Sequence, residues 1–237
     1  MRMRLVIRLS FVIFVFFNTV GVCATTVETK TETPVSYVIT TPAQALAALQ
    51  KGNDHFVAEL RKNQSFIEQM KYSQTNQTPF AVILSCMDSR TSPEIVFDQG
   101  IGDLFSQRVA GNVLNQNILG GMEYATKVVG AELIVVMAHE NCGALKAACE
   151  KVQLGNLTPL LQSLQPVVAQ TAKTFAGGKQ CDNPAFINSV AKQNVLDIMQ
   201  AIPEQSPIIA NLVKHHHVMI VGAMLNLSTG KVEFFTH

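Results

Sequence analysis

The sequence predicts an α/β fold: a central, mostly parallel β-sheet with one antiparallel edge strand, flanked by helices. Three observations predict it. Four apolar runs are continuous rather than alternating, as strands buried on both faces of a parallel sheet must be. Helix-length stretches separate those runs, giving the strand–helix alternation whose parallel crossovers are right-handed. A short final run after the Thr229-Gly230 turn has the form of an antiparallel partner at the sheet edge.

The chain opens with Arg2, Arg4 and Arg8, followed by an apolar stretch from Leu9 to Phe17 and the small-residue run Val22-Cys23-Ala24. This order is that of a secretory signal peptide over residues 1–24, with an apolar core too short for a stable membrane span. An uncleaved anchor is the alternative. Lipid attachment at Cys23 is disfavoured by the bulk of Val22. The expected product is exported, to a periplasm.

Cleavage after Ala24 removes three arginines and no acids, so Lys+Arg falls from 18 to 15 against Asp+Glu 17 and the formal charge moves from +1 to −2. A near-neutral surface lacks the basic footprint that a nucleic-acid partner needs. Residues 25–40 lack periodicity and read as a flexible leader. Residues 41–237 then form a single domain large enough for a substantial core.

Thr41, Pro42 and Gln44 mark a capped helix start, with Gln44 completing a capping box. Leu46, Leu49, Phe56 and Leu60 follow at roughly helical spacing. The predicted strands are 80–85, 104–109, 133–138 and 218–224, with an edge strand at 231–235. Helices are predicted over 93–97, 116–129, 144–151, 157–175 and 184–201.

Two strand ends carry the chemistry. The first strand runs into Cys86-Met87-Asp88-Ser89-Arg90; the third ends at His139, with Cys142-Gly143 following. Ligands of open α/β sheets bind beyond the carboxyl ends of strands, so both segments can face one crevice. Two thiolates, an imidazole and a water or carboxylate make a four-coordinate zinc site. Cys142 also precedes a predicted helix, whose N-terminus favours the thiolate. A Cys86–Cys142 disulfide is the competing reading, but it leaves His139, Asp88 and Arg90 without a role. Arg90 offers Asp88 a bidentate partner that would hold the carboxylate off the metal, leaving a position open for water. Asp88 could then orient the nucleophile.

The stretches "CMDSR" and "HENCGA", with "TSPEIVFDQGIGDLFSQRVAGNV" between them, resemble the β-class carbonic anhydrases, of the plant-like branch and in an exported form. "ALAALQKGNDHF" and "VGAMLNLSTGKVEFF" extend the resemblance over about residues 41–236. The resemblance implies one zinc ion per chain, bound by Cys86, His139 and Cys142, and reversible hydration of carbon dioxide to bicarbonate and a proton by a zinc-bound hydroxide. It implies Asp88 and Arg90 as the catalytic pair, with Asp88 able to switch to fourth metal ligand in a closed state; because Asp88 has two mutually exclusive partners within reach, falling pH is expected to drive that closure. It also implies a homodimer or dimer of dimers, with sites at the dimer interface. Gln77, Phe105 and Tyr124 fall at the spacings of the family's substrate-lining residues. Another branch has a tryptophan of a regulatory bicarbonate site where this chain has Ile83, so that site is expected to be absent.

Two thiolates neutralise the ion's formal double charge where three imidazoles would leave it intact. Such a site acidifies water less, and hydration activity is expected to rise through alkaline pH. Alternatives are hydrolysis of a linear analogue (carbon disulfide or carbonyl sulfide) and a zinc-binding protein without turnover. The tract Lys214-His215-His216-His217 reads as a solvated connection to the fourth strand rather than a metal site. Cys149 and Cys181 are open between a disulfide and buried free thiols.

Overall fold

The computed structural model describes residues 39–60 and 64–236, so the expected signal peptide and the leader up to residue 38 lie outside the described residues. Five strands form one sheet: β1 (Ala81–Ser85), β2 (Leu104–Arg108), β3 (Leu133–His139), β4 (Met219–Leu225) and β5 (Val232–Phe235), in the order β2-β1-β3-β4-β5. The first four are mutually parallel and β5 runs antiparallel to β4. Register aligns Ser85 with both Arg108 and Met137, and β3 continues to His139 opposite Leu225. The loops after β1 and β3 therefore leave from the same, carboxyl end of the sheet, next to each other.

The continuous apolar runs are explained by cover on both faces. Side chains alternate across a strand. Val82, Leu84, Ile134 and Val136 face one core with the helices α4 (Gln116–Glu123), α5 (Gly143–Glu150), α6 (Leu157–Thr174) and α7 (Pro184–Gln205). Ile83, Val135, Met137 and Val221 face the other, with α1 (Pro42–Val57) and α3 (Pro93–Val96). Ile83, where the other branch has its tryptophan, is fully buried there.

α1 begins where the sequence places it. Thr41 accepts a hydrogen bond from the Gln44 amide at 3.3 Å, but the Gln44 side chain reaches back to the Thr40 amide, one residue earlier than a capping box expects. Gly52 lets α1 approach α3, because a Cβ there would overlap the Phe97 carbonyl. Next to it, buried Asn53 donates to the carbonyls of Val96 (3.1 Å) and Gly230 (2.9 Å) and accepts from the Val232 amide (2.8 Å). One side chain thus ties α1, α3 and the final hairpin together.

Two helices beyond those expected are present. α2 (Phe66–Ser73) has no buried residue among those described, so no apolar face marks it in the sequence. The Ile101 amide donating to Gln69 Oε1 at 2.9 Å helps to hold it. α8 (Pro207–Lys214) starts at Ser206, which caps the Ile209 amide, with Pro207 at the first helical position. α7 runs on past residue 201 to Gln205, and α4 continues as a π-helical turn over Tyr124–Val129 that ends at left-handed Gly130. No helix of the described residues is long and apolar enough to cross a membrane.

Candidate metal centre

Cys86 is the first residue after β1, His139 the last of β3, and Cys142 the N-cap of α5. All three are buried, and their ligand atoms lie within 4.8 Å of one another. Cys86 Sγ and Cys142 Sγ are 4.0 Å apart, two free thiols rather than a disulfide. Sulfurs each about 2.3 Å from a tetrahedral zinc stand about 3.8 Å apart, so the observed spacing suits an ion between them. His139 Nδ1 donates to the Glu140 carbonyl at 2.8 Å, which fixes the proton on Nδ1. Its Nε2 is buried without a hydrogen-bond partner among the described residues. An orphaned imidazole lone pair costs free energy unless something binds it, and it points into the same cluster as the two sulfurs. The donor set fits zinc.

Asp88 stands at the margin of this cluster, with Oδ2 3.9 Å from His139 Nε2. Arg90 grips it twice, Nε on Oδ1 at 2.8 Å and Nη2 on Oδ2 at 2.7 Å, and the Arg90 amide adds a third bond to Oδ1 at 3.0 Å. These donors hold the Asp88 carboxyl well below the usual carboxylate range. The sulfurs perturb each other more strongly. Contact with Cys142 pulls the Cys86 thiol down to about 4, and the same contact together with burial pushes the Cys142 thiol up. Burial works to lower the His139 imidazole, but the adjacent Cys86 sulfur leads the contacts that offset it, and the net shift is upward.

The loop's shape depends on residues that no motif points to. Arg108, at the end of β2, donates from Nε to the Cys86 carbonyl at 3.2 Å and from Nη2 to the Asp88 carbonyl. Thr91 Oγ1 reaches the same two carbonyls, at 3.1 and 3.0 Å. Buried Asn112 donates to the Met137 carbonyl, bracing the end of β3 two residues before His139. Gly111 and Asn112 adopt left-handed backbone (φ 66 and 58) to make that turn, and Asn194 of α7 holds it by donating to the Gly111 carbonyl at 2.9 Å. On the other side, the Asn141 amide donates to Asn188 of α7 at 2.9 Å.

The residues at substrate-lining spacing are distributed differently. Phe105 and Tyr124 meet edge to face, with ring centroids 6.0 Å apart. Phe105 lies on the sheet face that carries Val82, Leu84 and Cys86, and Tyr124 is about half exposed, at 49%. Gln77 is exposed in the segment leading into β1. Within one chain the three therefore do not close a pocket.

Cys149 and Cys181 form a disulfide that joins α5 to the connection before α7. Lys146 of α5 and Asp182 add a salt bridge across the same gap at 3.0 Å.

Comparison with known proteins places this geometry in context. The family profile described as carbonic anhydrase matches residues 81–232. Carbonic anhydrase 2 of Mycobacterium tuberculosis is 33% identical over 199 residues, covering 84% of this chain and 95% of that protein. The carbonic anhydrase of Mycolicibacterium smegmatis is 33% identical over 198 residues, covering 83% and 94%. Among solved structures, a tetrameric β-carbonic anhydrase of Sordaria macrospora superposes with a TM-score of 0.65 at 20% identity, over 82% of this chain and 98% of that one. The Coccomyxa β-carbonic anhydrase in complex with acetazolamide gives 0.62 at 22% identity, over 82% and 86%. At such identities the superpositions speak for the fold.

Proposed function

This chain belongs to the β-class carbonic anhydrases, and from that premise we propose how its residues divide the reversible hydration of carbon dioxide to bicarbonate and a proton. Cys86, His139 and Cys142 hold one zinc ion. When bound, zinc supplies a Lewis acid that makes a water molecule nucleophilic at moderate pH.

The remaining work belongs to the chain. Arg90 keeps Asp88 occupied beside the metal position rather than on it, which leaves a corner open to water. Asp88 accepts a hydrogen bond from the attacking oxygen and so fixes the direction of its lone pair. Phe105 and Tyr124 supply an apolar wall for a small apolar substrate, and the Gln77 amide donates to the oxygen that gains charge during attack. The observation that carries this division is Asp88, 3.9 Å from the orphaned His139 nitrogen and yet held by three bonds from Arg90.

A homodimer completes the site in this reading. Tyr124 is half exposed, and Leu60, Ile67 and Met70 are each more than half exposed, apolar side chains that a second copy would cover. Export is the further part of the reading; a Cys149–Cys181 disulfide suits an oxidising compartment.

The test is zinc content measured together with stopped-flow carbon dioxide hydration on the purified chain. Stoichiometric zinc with turnover rising through alkaline pH is expected; full zinc without turnover would overturn the catalytic reading. Light scattering on the same sample should show no monomer, and N-terminal sequencing of exported material should begin after Ala24.

A further inference from the structure

The hydration reaction makes no use of the turn between α8 and β4, where Lys214, His215, His216 and His217 are all exposed. His216 takes up left-handed backbone, φ 60. The residues on either side of it bring their rings together: the His215 and His217 imidazoles are stacked, with centroids 6.5 Å apart and planes 25° from parallel. His215 Nδ1 lies 2.9 Å from the Asn211 carbonyl, one helical turn back. A carbonyl can only accept, so Nδ1 carries the proton and Nε2 keeps its lone pair on the far side of the ring.

Metal-binding imidazoles are commonly fixed in this way, with one nitrogen donating to a backbone carbonyl and the other left to the ion. His139 shows the same arrangement, with Glu140 supplying the carbonyl. The turn thus presents one imidazole in ligand form and a second beside it.

We propose that His215 and His217 form a surface site for a divalent first-row transition cation, separate from the catalytic centre. Two imidazole nitrogens bound to one ion at about 2.1 Å stand roughly 3–4 Å apart. The His217 ring is exposed, so rotation about its side-chain bonds brings it toward the ion while His215 keeps its bond to Asn211. Water fills the remaining positions. Two neutral nitrogen donors follow the usual order of divalent affinities, so copper binds most tightly, and nickel more tightly than cobalt or manganese. Lys214 places a positive charge beside the pair, and no thiolate contributes. The site is therefore weaker than the buried sulfur centre, and it fills only after that centre is loaded.

The experiment uses the full chain without an affinity tag, loaded with one equivalent of zinc per chain and then dialysed against nickel chloride, with both metals quantified in the same sample. Nickel bound in excess, with zinc retained, is expected. His215→Ala with His217→Ala should abolish the excess nickel while leaving the carbon dioxide hydration rate unchanged, and His216→Ala should keep both. No excess nickel on the parent chain, or the same excess on the double variant, would overturn the proposal. Nickel taken up only as zinc is lost would overturn it as well, because it would place the nickel at the sulfurs.

Discussion

Arg90 and Asp88 form a closed two-point pair at 2.7 and 2.8 Å, and the same Asp88 oxygen that meets Arg90 Nη2 lies 3.9 Å from His139 Nε2. The carboxylate thus has one partner that it holds and one position that it only borders. Arg90→Ala removes both guanidinium bonds and leaves only the backbone amide on Oδ1. Zinc should stay bound, because none of its three ligands is touched, while hydration falls by about a hundredfold through misplacement of Asp88. Stopped-flow rates with zinc quantified on the same sample check this; an unchanged rate would mean that the pair is ornamental. Arg90→Lys should restore little, since an ammonium cannot make the two-point grip.

Arg108 should matter for a different reason. Its guanidinium serves the carbonyls of Cys86 and Asp88, so Arg108→Ala removes that donor from two backbone acceptors at the metal loop. A loss of about 1–3 kcal/mol in unfolding stability is expected, together with faster zinc loss to a chelator. Chemical denaturation and chelator competition measure the two effects separately, and a variant with parental values for both would remove Arg108 from the loop's support.

The disulfide closes a ring of contacts around Cys142, one of the candidate metal ligands. Cys142 starts α5, Cys149 lies further along it, and Cys181 leads through Asn183 into α7, whose Asn188 holds the Asn141 amide. Cys149 and Cys181 are separated by 32 residues. Constraining a loop of that length in the unfolded chain stabilises the fold by about 3–4 kcal/mol. Cys149→Ser with Cys181→Ser should lose about that much and should also release zinc faster. A stability loss with unchanged zinc release would confine the bond's effect to the unfolded chain.

Glu132 supplies a pH test away from the metal. Its Oε2 is buried without a hydrogen-bond partner among the described residues, and burial raises its carboxyl above the ordinary value. The ionised form is the penalised one. The stabilisation given by the neutral acid is therefore present below its unfolded value, about 4.3, and is lost as pH rises through the folded value. Glu132→Gln should raise stability near neutral pH by no more than about 1 kcal/mol, and the gain should vanish below about pH 4. Urea midpoints at the two pH values decide it; an equal gain at both would refute the electrostatic cause.

Most of the sheet was legible because parallel strands buried on both faces announce themselves as unbroken apolar runs. The candidate metal ligands were legible because Cys86 and His139 sit where those runs stop and Cys142 follows three residues later. Arg108 and Asn112 were not, since each acts on backbone carbonyls, which carry no residue identity for a motif to match. α8 was not legible either, since it is only eight residues long and its start rests on the local Ser206 cap. α2 carried no apolar stripe facing the core, because none of its described residues is buried. Cys149–Cys181 needed coordinates: residue spacing cannot say that the end of α5 and the connection before α7 are neighbours.

That pairing also bears on how the protein is made. The four cysteines among the described residues permit three complete pairings. The native arrangement is none of these, because it joins Cys149 to Cys181 and leaves Cys86 and Cys142 reduced 4.0 Å apart. In a compartment that oxidises sulfur, those two would meet as readily as the structural pair unless an ion reached them first. In such a compartment the yield of working enzyme would be a race between metal supply and oxidant during maturation, decided before any substrate is encountered.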